Sequence, residues 1–561
     1  MPQRFVSEES AIPFASAMRG VRARGYTSGD LRADLGAGLT LGVVALPLSM
    51  ALAIASGAPP QLGLFTAIVG GTVIALAGGS MHSVSGPTAA FVVLLAPIVA
   101  RYGLSGLLLA SLMAGVVLVA MGLLRLGKLM QFIPHPVTTG FTAGIGVVIA
   151  VLQLGDLVGL GSLEGERIWE RLVDFGERLP AARWQDAAVA GVTLLVMIFF
   201  PKLTKRVPSP LVALAVAALA GVGLGRMGFE VATISSRFGG IPAVPPLPVL
   251  PWTVDGGITL STIPELLPSA LAIAMLGAIE SLLCAVVADG MTGSRHDPDS
   301  ELVGLGLGNI VVPFFGGFAA TGAIARTATA IRSGGRTPVA AVIHAGFVMA
   351  AMLLFAPLLG YVPMAGMAGL LLVVAWNMSD ARHFARIVRI APRSDVMVLL
   401  VCFSLTVVFD MVIAVGVGVV LAALLFMRRM VEISGAQLVG GEHGHEATGL
   451  PPGVVFYDIA GPLFFGAAEK ALRALTVVGS GVHTVIIDLE DVPAMDATGL
   501  VALESVVERL NGSDIRVVLV GVQAQPRRAL ERAGLVERGD RLEIHETVDD
   551  VLAGLGRSSD L

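Results

Sequence analysis

Two ionisable side chains sit inside apolar sequence, and they are the residues with chemistry to do. Arg326 lies in GGFAATGAIARTATAIRSGG, 316–335, where glycines, small residues and hydroxyls break an apolar run. An arginine at membrane depth is costly unless it faces protein or water, so it marks an ion or substrate pathway by default. The competing role is structural, a clip onto an acid or onto backbone carbonyls. Glu280 lies in LGAIESLLCAVVADGMTG, 276–293, with no basic partner within a helical turn. A buried carboxyl can carry a proton or, when ionised, bind a cation. Its alternative role is a hydrogen-bonded cap on a neighbouring break. Asp289, at the end of the same run, reads as a cytoplasmic cap, and Asp410 as an exposed turn residue. His82 and His344 lack metal-ligand spacing and read as polar fillers.

A second broken stretch, GGSMHSVSGPTAAFVVLL, 78–95, supplies a different chemistry. Glycines, serines and a proline suit a chain that stops one helix, runs extended and starts a half-helix in mid-membrane. Pro87 fits the first turn of that half-helix, where its missing N–H would be unpaired anyway. Ser83, Ser85 and Thr88 can satisfy free backbone groups. A helix N-terminus at the midplane offers unpaired N–H groups and a positive dipole end, which suits an anion. Broken helices of this kind point to transporter binding sites. The alternative is a re-entrant loop or kinked helix with no ligand.

The elements that must hold these residues are membrane spans. The chain has 561 residues, 55% hydrophobic and 14% charged, against about 25% charged in soluble domains. Its mean hydropathy is +0.82. The 69 glycines fit close helix packing in lipid. Two cysteines, Cys284 and Cys402, lie in apolar segments and give no disulfide framework or metal site. No basic run long enough for nucleic acid occurs, and no nucleotide-binding GxxxxGK[ST] loop, which argues against a primary pump. The polar start, 1–32, carries Arg4, Arg19, Arg22, Arg24 and Arg32 and shows no cleaved signal pattern. Its basic character predicts a cytoplasmic N-terminus.

Fourteen elements follow, at 35–55, 62–76, 78–100, 104–124, 137–154, 187–200, 211–225, 263–288, 302–315, 316–335, 339–359, 365–376, 396–409 and 412–427. The transport region spans 33–430, in halves of 33–226 and 263–430. Polar loops are expected at 156–185, 229–262 and 290–301, and a basic turn at Lys202, Lys205 and Arg206. An even count returns the chain to its starting side. Arg382, Arg386, Arg389, Arg393, Arg428 and Arg429 then lie on the cytoplasmic side. Sliding the first half forward by 238 positions puts Gly78-Gly79 on Gly316-Gly317, Pro87 on Ala325 and Thr88 on Arg326. With seven spans per half the copies are inverted, so two half-helix N-termini face each other.

The run VVALPLSMALAIASGAPPQLGLFTAIVGG, 43–71, resembles the signature of the sulfate permease (SulP) family, also called solute carrier family 26. HSVSGPTAAF, AIESLLCAVVADGMTG and GLGNIVVPFFGGFAATGAIART, 306–327, agree with it. The likeness covers nearly the whole chain. Over 276–293 and WNMSD, 376–380, it is most similar to bacterial C4-dicarboxylic acid transporters. The resemblance implies an α-helical membrane protein, a seven-plus-seven inverted repeat with core and gate domains, and a homodimer. Its anion site implies Gly86, Pro87, Thr88 and Ala89 from the third helix and Ala325, Arg326 and Thr327 from the tenth. Leu48 and Leu52 of the first helix stand where relatives often carry a polar and an aromatic residue. Glu280 matches an Asp of sodium-coupled bicarbonate relatives, and Cys284 matches their Thr. Losing that hydroxyl argues against sodium and favours proton coupling through Glu280.

The tail, 450–561, differs in kind. VVFYDIAG, HTVIIDLEDV and IRVVLVGV read as strands at 454–461, 483–492 and 515–522, with helical spacing at 467–478 and 499–510. Alternating strands and helices predict a cytoplasmic α/β domain. It resembles the STAS domain of sulfate transporters and anti-sigma factor antagonists. In its marker loop PAMDATGL, 493–500, Ala497 replaces the phosphorylatable Ser, and Thr498 is expected to cap the following helix. The domain reads as an assembly or regulatory module that could bind cytoplasmic proteins.

The expected function is a secondary transporter of small carboxylate anions, such as succinate or fumarate, in a bacterial inner membrane. It would work by proton symport, without cofactor or metal, and is not an enzyme. Rival readings are a sulfate or bicarbonate carrier, a passive anion channel, and a STAS-centred membrane scaffold.

Overall fold

A computed structural model describes residues 13–551 apart from 131–133, 166, 205–206, 258, 410, 434, 441–449, 465–467, 469–471, 473–480 and 536–541. Arg4, Lys205, Arg206, Asp410 and most of the helix expected over 467–478 lie outside the described residues. The chain forms two compact units, Met1–Val419 and Val420–Leu561.

The membrane unit opens with a short helix α1, Ser16–Arg24, and then α2, Ser28–Ala55. Helix α2 starts seven residues before the apolar run expected at 35. The reason is a capping box: Asp30 N–H donates to Thr27 Oγ1 at 3.1 Å, and Thr27 N–H donates to Asp30 Oδ2 at 3.2 Å. Two orphan donors are satisfied reciprocally, so the helix begins in polar sequence. The span Pro60–Ala77, α3, contains one π-helical turn at Thr66–Gly70. Strand β1 is Ser85–Gly86, and helix α4, Ala89–Leu123, follows. Gly103, at φ 66°, divides α4 into the two spans expected there; a backbone in this region suits glycine.

Helices α5, His135–Leu157, α6, Ile168–Arg178, α7, Trp184–Leu203, and α8, Ser209–Arg226, complete the first half. The loop expected at 156–185 therefore holds a helix. The second half runs through α9, Ile263–Thr292, α10, Pro298–Val311, and β2, Thr321–Gly322. It continues with α11, Ile324–Arg332, α12, Val339–Leu359, α13, Met364–Ser379, and α14, Ala381–Ile390. It ends with α15, Arg393–Val408, and α16, Met411–Ile433. Among the described residues, nine helices are long and apolar enough to cross a bilayer.

Two packing groups stand out. Helices α2, α3, α4, α9, α10, α11 and α12 pack chiefly on one another, with α4 wedged between α9 and α10. Helices α5, α7, α8, α13 and α15 form the second group. Small residues allow the close approaches. A Cβ on Gly304 of α10 would fall 2.5 Å from the Gly78 Cα. Gly42 of α2 is likewise filled by Phe347 of α12. In lipid, where burial of apolar surface drives helices together weakly, such contacts and interhelical hydrogen bonds carry association.

The second unit holds a five-stranded sheet in the order β3-β4-β5-β6-β7. Its strands are Gly435–Gly440, Val454–Ala460, Thr484–Asp488, Arg516–Val520 and Leu542–His545. The pair β3–β4 is antiparallel and the other pairs are parallel. Helix α17, Ala497–Gly512, connects β5 to β6, and α18, Ala524–Arg532, connects β6 to β7. The sheet thus begins at 435, ahead of the domain start expected at 450. Leu463, Ile487, Leu503, Val507 and Leu519 are among its buried core. Thr498 does not cap α17: it lies inside the helix and is exposed. The cap is Asp496, whose Oδ1 accepts the Gly499 N–H at 2.8 Å. A carboxylate at N-cap can take that bond and also favours the positive helix end.

Candidate functional site

The two sequence breaks meet. β1 and β2 pair antiparallel, with Ser85 opposite Gly322 and Gly86 opposite Thr321. Each strand leads into a helix, α4 from its N-cap Thr88 and α11 from its N-cap Ala323. The first N–H groups of both helices have no partner within the helix. These N-caps are 235 positions apart, not the 238 of the glycine alignment. Arg326 is therefore the third residue of α11, and its counterpart in the first half is buried Phe91 rather than Thr88.

Pro87 does not occupy the first helical turn. It stands ahead of the cap, in extended chain. A proline restrains the residue before it to extended conformations, so Pro87 keeps Gly86 in the β pairing instead of opening the helix.

Outside the regular pairing, main-chain groups of the breaks are met by side chains. In the first break the Gly79 and Ser80 N–H groups donate to Glu301 Oε2 at 2.9 and 3.0 Å. The other oxygen, Glu301 Oε1, accepts from Ser281 Oγ at 3.0 Å. Val84 N–H donates to Thr327 Oγ1 at 2.9 Å. In the second break Phe318, Ala319 and Ala320 N–H donate to Thr66 Oγ1, Ser111 Oγ and Asn309 Oδ1 at 2.9, 3.0 and 2.7 Å. Each such group, buried and unpaired, would cost about 1–3 kcal/mol. The π-helical turn of α3 thus carries Thr66, one of these acceptors; π turns recur at functional sites. Main-chain donors of Ala15 and Ala17 also reach the carbonyls of Ala77 and Gly78, at 2.8 and 3.4 Å.

Arg326 is 2% exposed. Its Nη2 donates to the Pro87 carbonyl at 3.0 Å and reaches Ser49 Oγ at 3.5 Å. Its Nε and Nη1 are buried and have no hydrogen-bond partner among the described residues. A Cβ on Gly86 would fall 2.5 Å from Nη1, so only glycine leaves the guanidinium its place. The arginine is thus both a clip onto a carbonyl and a cation with donors to spare. Glu280 is half-buried and makes no ion pair with Arg326; its Oε2 accepts from Thr88 Oγ1 at 3.0 Å. Thr88 is buried, as is Ala89 at the helix start, whereas Ala325 is exposed.

Other expected site residues have different neighbours. Thr327 is fully buried, and its hydroxyl oxygen accepts the Cys284 S–H at 3.1 Å besides the Val84 N–H. Leu52 is buried, and Leu48 lines a cavity of about 440 Å³ with Met197, Pro201, Leu370 and Trp376. The residue α2 sends to Arg326 is Ser49, two positions after Pro47, and nothing in the local sequence singles it out. In sequence Glu301 ends a polar loop, yet it is 1% exposed and organises the first break. Asp289 accepts from the His296 and Ser294 side chains at 2.7 and 2.8 Å, tying down the loop after α9.

Comparison with known proteins identifies the family and the fold. The sulfate permease family profile matches residues 31–402, and the STAS domain profile matches 448–551. The putative sulfate transporter YvdB of Bacillus subtilis is 39% identical over 534 residues, covering 94% of this chain and 99% of that protein. The bicarbonate transporter BicA of Picosynechococcus is 32% identical, covering 91% of this chain and 92% of that protein. Among solved structures, SLC26A9 superposes with a TM-score of 0.85 at 18% identity over 97% of this chain and 93% of that chain. The transmembrane domain of a cyanobacterial BicA superposes with a TM-score of 0.62 at 30% identity, over 71% of this chain and 98% of that chain. The chain therefore belongs to the sulfate permease family and carries a C-terminal STAS domain.

Proposed function

We propose that this protein moves small anions across a membrane by alternating access, with the anion held where α4 and α11 begin. The observation that carries this reading is Arg326: a guanidinium held among buried groups, with two nitrogens unpaired, between two helix N-termini. Buried donors without partners are costly, and an anion is the chemistry that would satisfy them. The helix ends add partial positive charge to the same place. Glu280, bonded through Thr88 to the N-cap of α4, is the group we assign to proton uptake. Protonation there would neutralise a carboxylate near the anion and so favour the loaded state.

Within small anions we place C4-dicarboxylates first, on the resemblance over 276–293 and 376–380. Sulfate and bicarbonate form the second reading, favoured by the names of relatives 39% and 32% identical. We place the protein in a bacterial inner membrane as a homodimer, with both termini cytoplasmic and the STAS domain free to engage cytoplasmic proteins. The test is uptake of labelled succinate, fumarate, sulfate and bicarbonate into proteoliposomes, with and without a pH gradient. Arg326→Ala should abolish uptake of the transported anion while the protein still purifies as a folded species. Uptake unchanged in that variant would overturn the anion site.

A further inference from the structure

Helix α14, Ala381–Ile390, joins α13 to α15 and is built for a surface. Asp380 adopts φ 35° between α13 and α14, so the chain turns instead of continuing the span. Arg382, Arg386 and Arg389 follow at intervals of four and three residues and are all exposed. Residues at that spacing share one helix face. Arg393, also exposed, stands at the start of α15 just beyond. On the opposite face Phe384 packs its ring against Phe403 of α15 at 5.3 Å, and flanking it His383 meets His135 of α5 at 5.3 Å. The apolar face is therefore fixed to the helix bundle, and the arginine face turns away from it.

Two acids are near in sequence, exposed Asp380 and half-buried Asp395, whose Oδ1 accepts from Ser394 Oγ at 3.2 Å. Among the described residues none of the four arginines forms an ion pair. Two apolar side chains of α14 are exposed as well: Val388 at 39% and Ile390 at 69%. Water is a poor solvent for such a set, whereas the boundary between headgroups and acyl chains suits both halves of it.

We propose that α14 is a binding surface for anionic phospholipid of the leaflet against which α13 ends. Arg382, Arg386 and Arg389 hold headgroup phosphates, and Val388 and Ile390 enter the acyl boundary. A guanidinium is suited to phosphate because its N–H groups can bond two oxygens at once. Each arginine near an anionic surface favours the lipid by about fivefold.

The test uses the full-length protein, equilibrated in vesicles of equal phosphatidylglycerol and phosphatidylcholine, then analysed by native mass spectrometry for retained lipid. The protein should retain phosphatidylglycerol preferentially, and R382K/R386K/R389K should keep that preference. R382Q/R386Q/R389Q should lose it by about a hundredfold, fivefold for each of three charges. If the triple variant does not fold, Arg389→Gln alone should lower the preference about fivefold. Undiminished preference in the glutamine variants overturns the proposal. So does displacement of the lipid by millimolar glycerol phosphate, which would make this a site for a soluble phosphate.

Discussion

In the proposed site Arg326 supplies a fixed charge and Glu280 a removable one. Arg326 is anchored by one nitrogen to the Pro87 carbonyl, which fixes where its remaining donors sit. Among the described residues, the hydrogen-bond partner of Glu280 is the Thr88 hydroxyl, which donates to a carboxylate and can accept from a carboxylic acid. That bond survives a change of protonation, as a proton carrier requires. Glu280→Gln keeps a carbonyl oxygen to accept from Thr88 but has no proton to exchange. We expect the variant to fold and take up anion down its own gradient, with uptake no longer responding to an imposed pH gradient. A response equal to that of the unaltered protein would assign the coupling proton elsewhere. Both residues were conspicuous in sequence, because a charge amid apolar residues needs a reason. Ser49 was not, since one serine in a helix is common and only the fold brings it to Arg326.

At the scale of elements, Glu301 at the start of α10 fastens the first break. It accepts three hydrogen bonds, two from the main chain of the first break and one from Ser281 of α9. Glu301→Ala orphans all three donors, and we expect a loss of roughly 3 kcal/mol or more, read as a lowered Tm with weakened anion binding. Glu301→Gln can accept from Gly79 and Ser80 with its oxygen and donate to Ser281 with its amide, so it should retain most of the stability. Equal damage from both variants would mean that charge, not hydrogen bonding, holds the break. The elements themselves were largely legible: breaks at 78–95 and 316–335 announced themselves through glycine and hydroxyl residues in apolar sequence. What sequence withheld was pairing. Glu301 lies 222 residues from Gly79, and nothing local distinguishes it from a loop acid. The start of α2 and the role of Pro87 were misplaced for a related reason: capping and strand pairing overrode the apolar boundary and the helix preference of proline. Strand β3 stands between the last span and the expected domain start, where no boundary in the sequence marks it.

Over the whole molecule, membrane unit and STAS domain each have their own core, and the anion-site residues assigned above all lie in the first. A chain ending after Ile433 removes the sheet entire; a cut at 450 would leave β3 without its partner and expose an unpaired edge. We expect the shorter chain to fold in detergent and bind the same anion with similar affinity, measured by calorimetry. Loss of binding in a well-folded truncation would move part of the site into the STAS domain. The pairing of Ser85 with Gly322 has a consequence for biosynthesis. The first half of the site emerges from the ribosome long before its partner strand exists. At ~5–20 residues per second, the wait is on the order of ten to fifty seconds. During it, Ser80, Val84 and Gly86 carry main-chain groups whose acceptors and donors are not yet made. The nascent first half must therefore pass that interval with the break still wet or shielded by the insertion machinery, and the proposed anion site is completed only when residue 327 arrives.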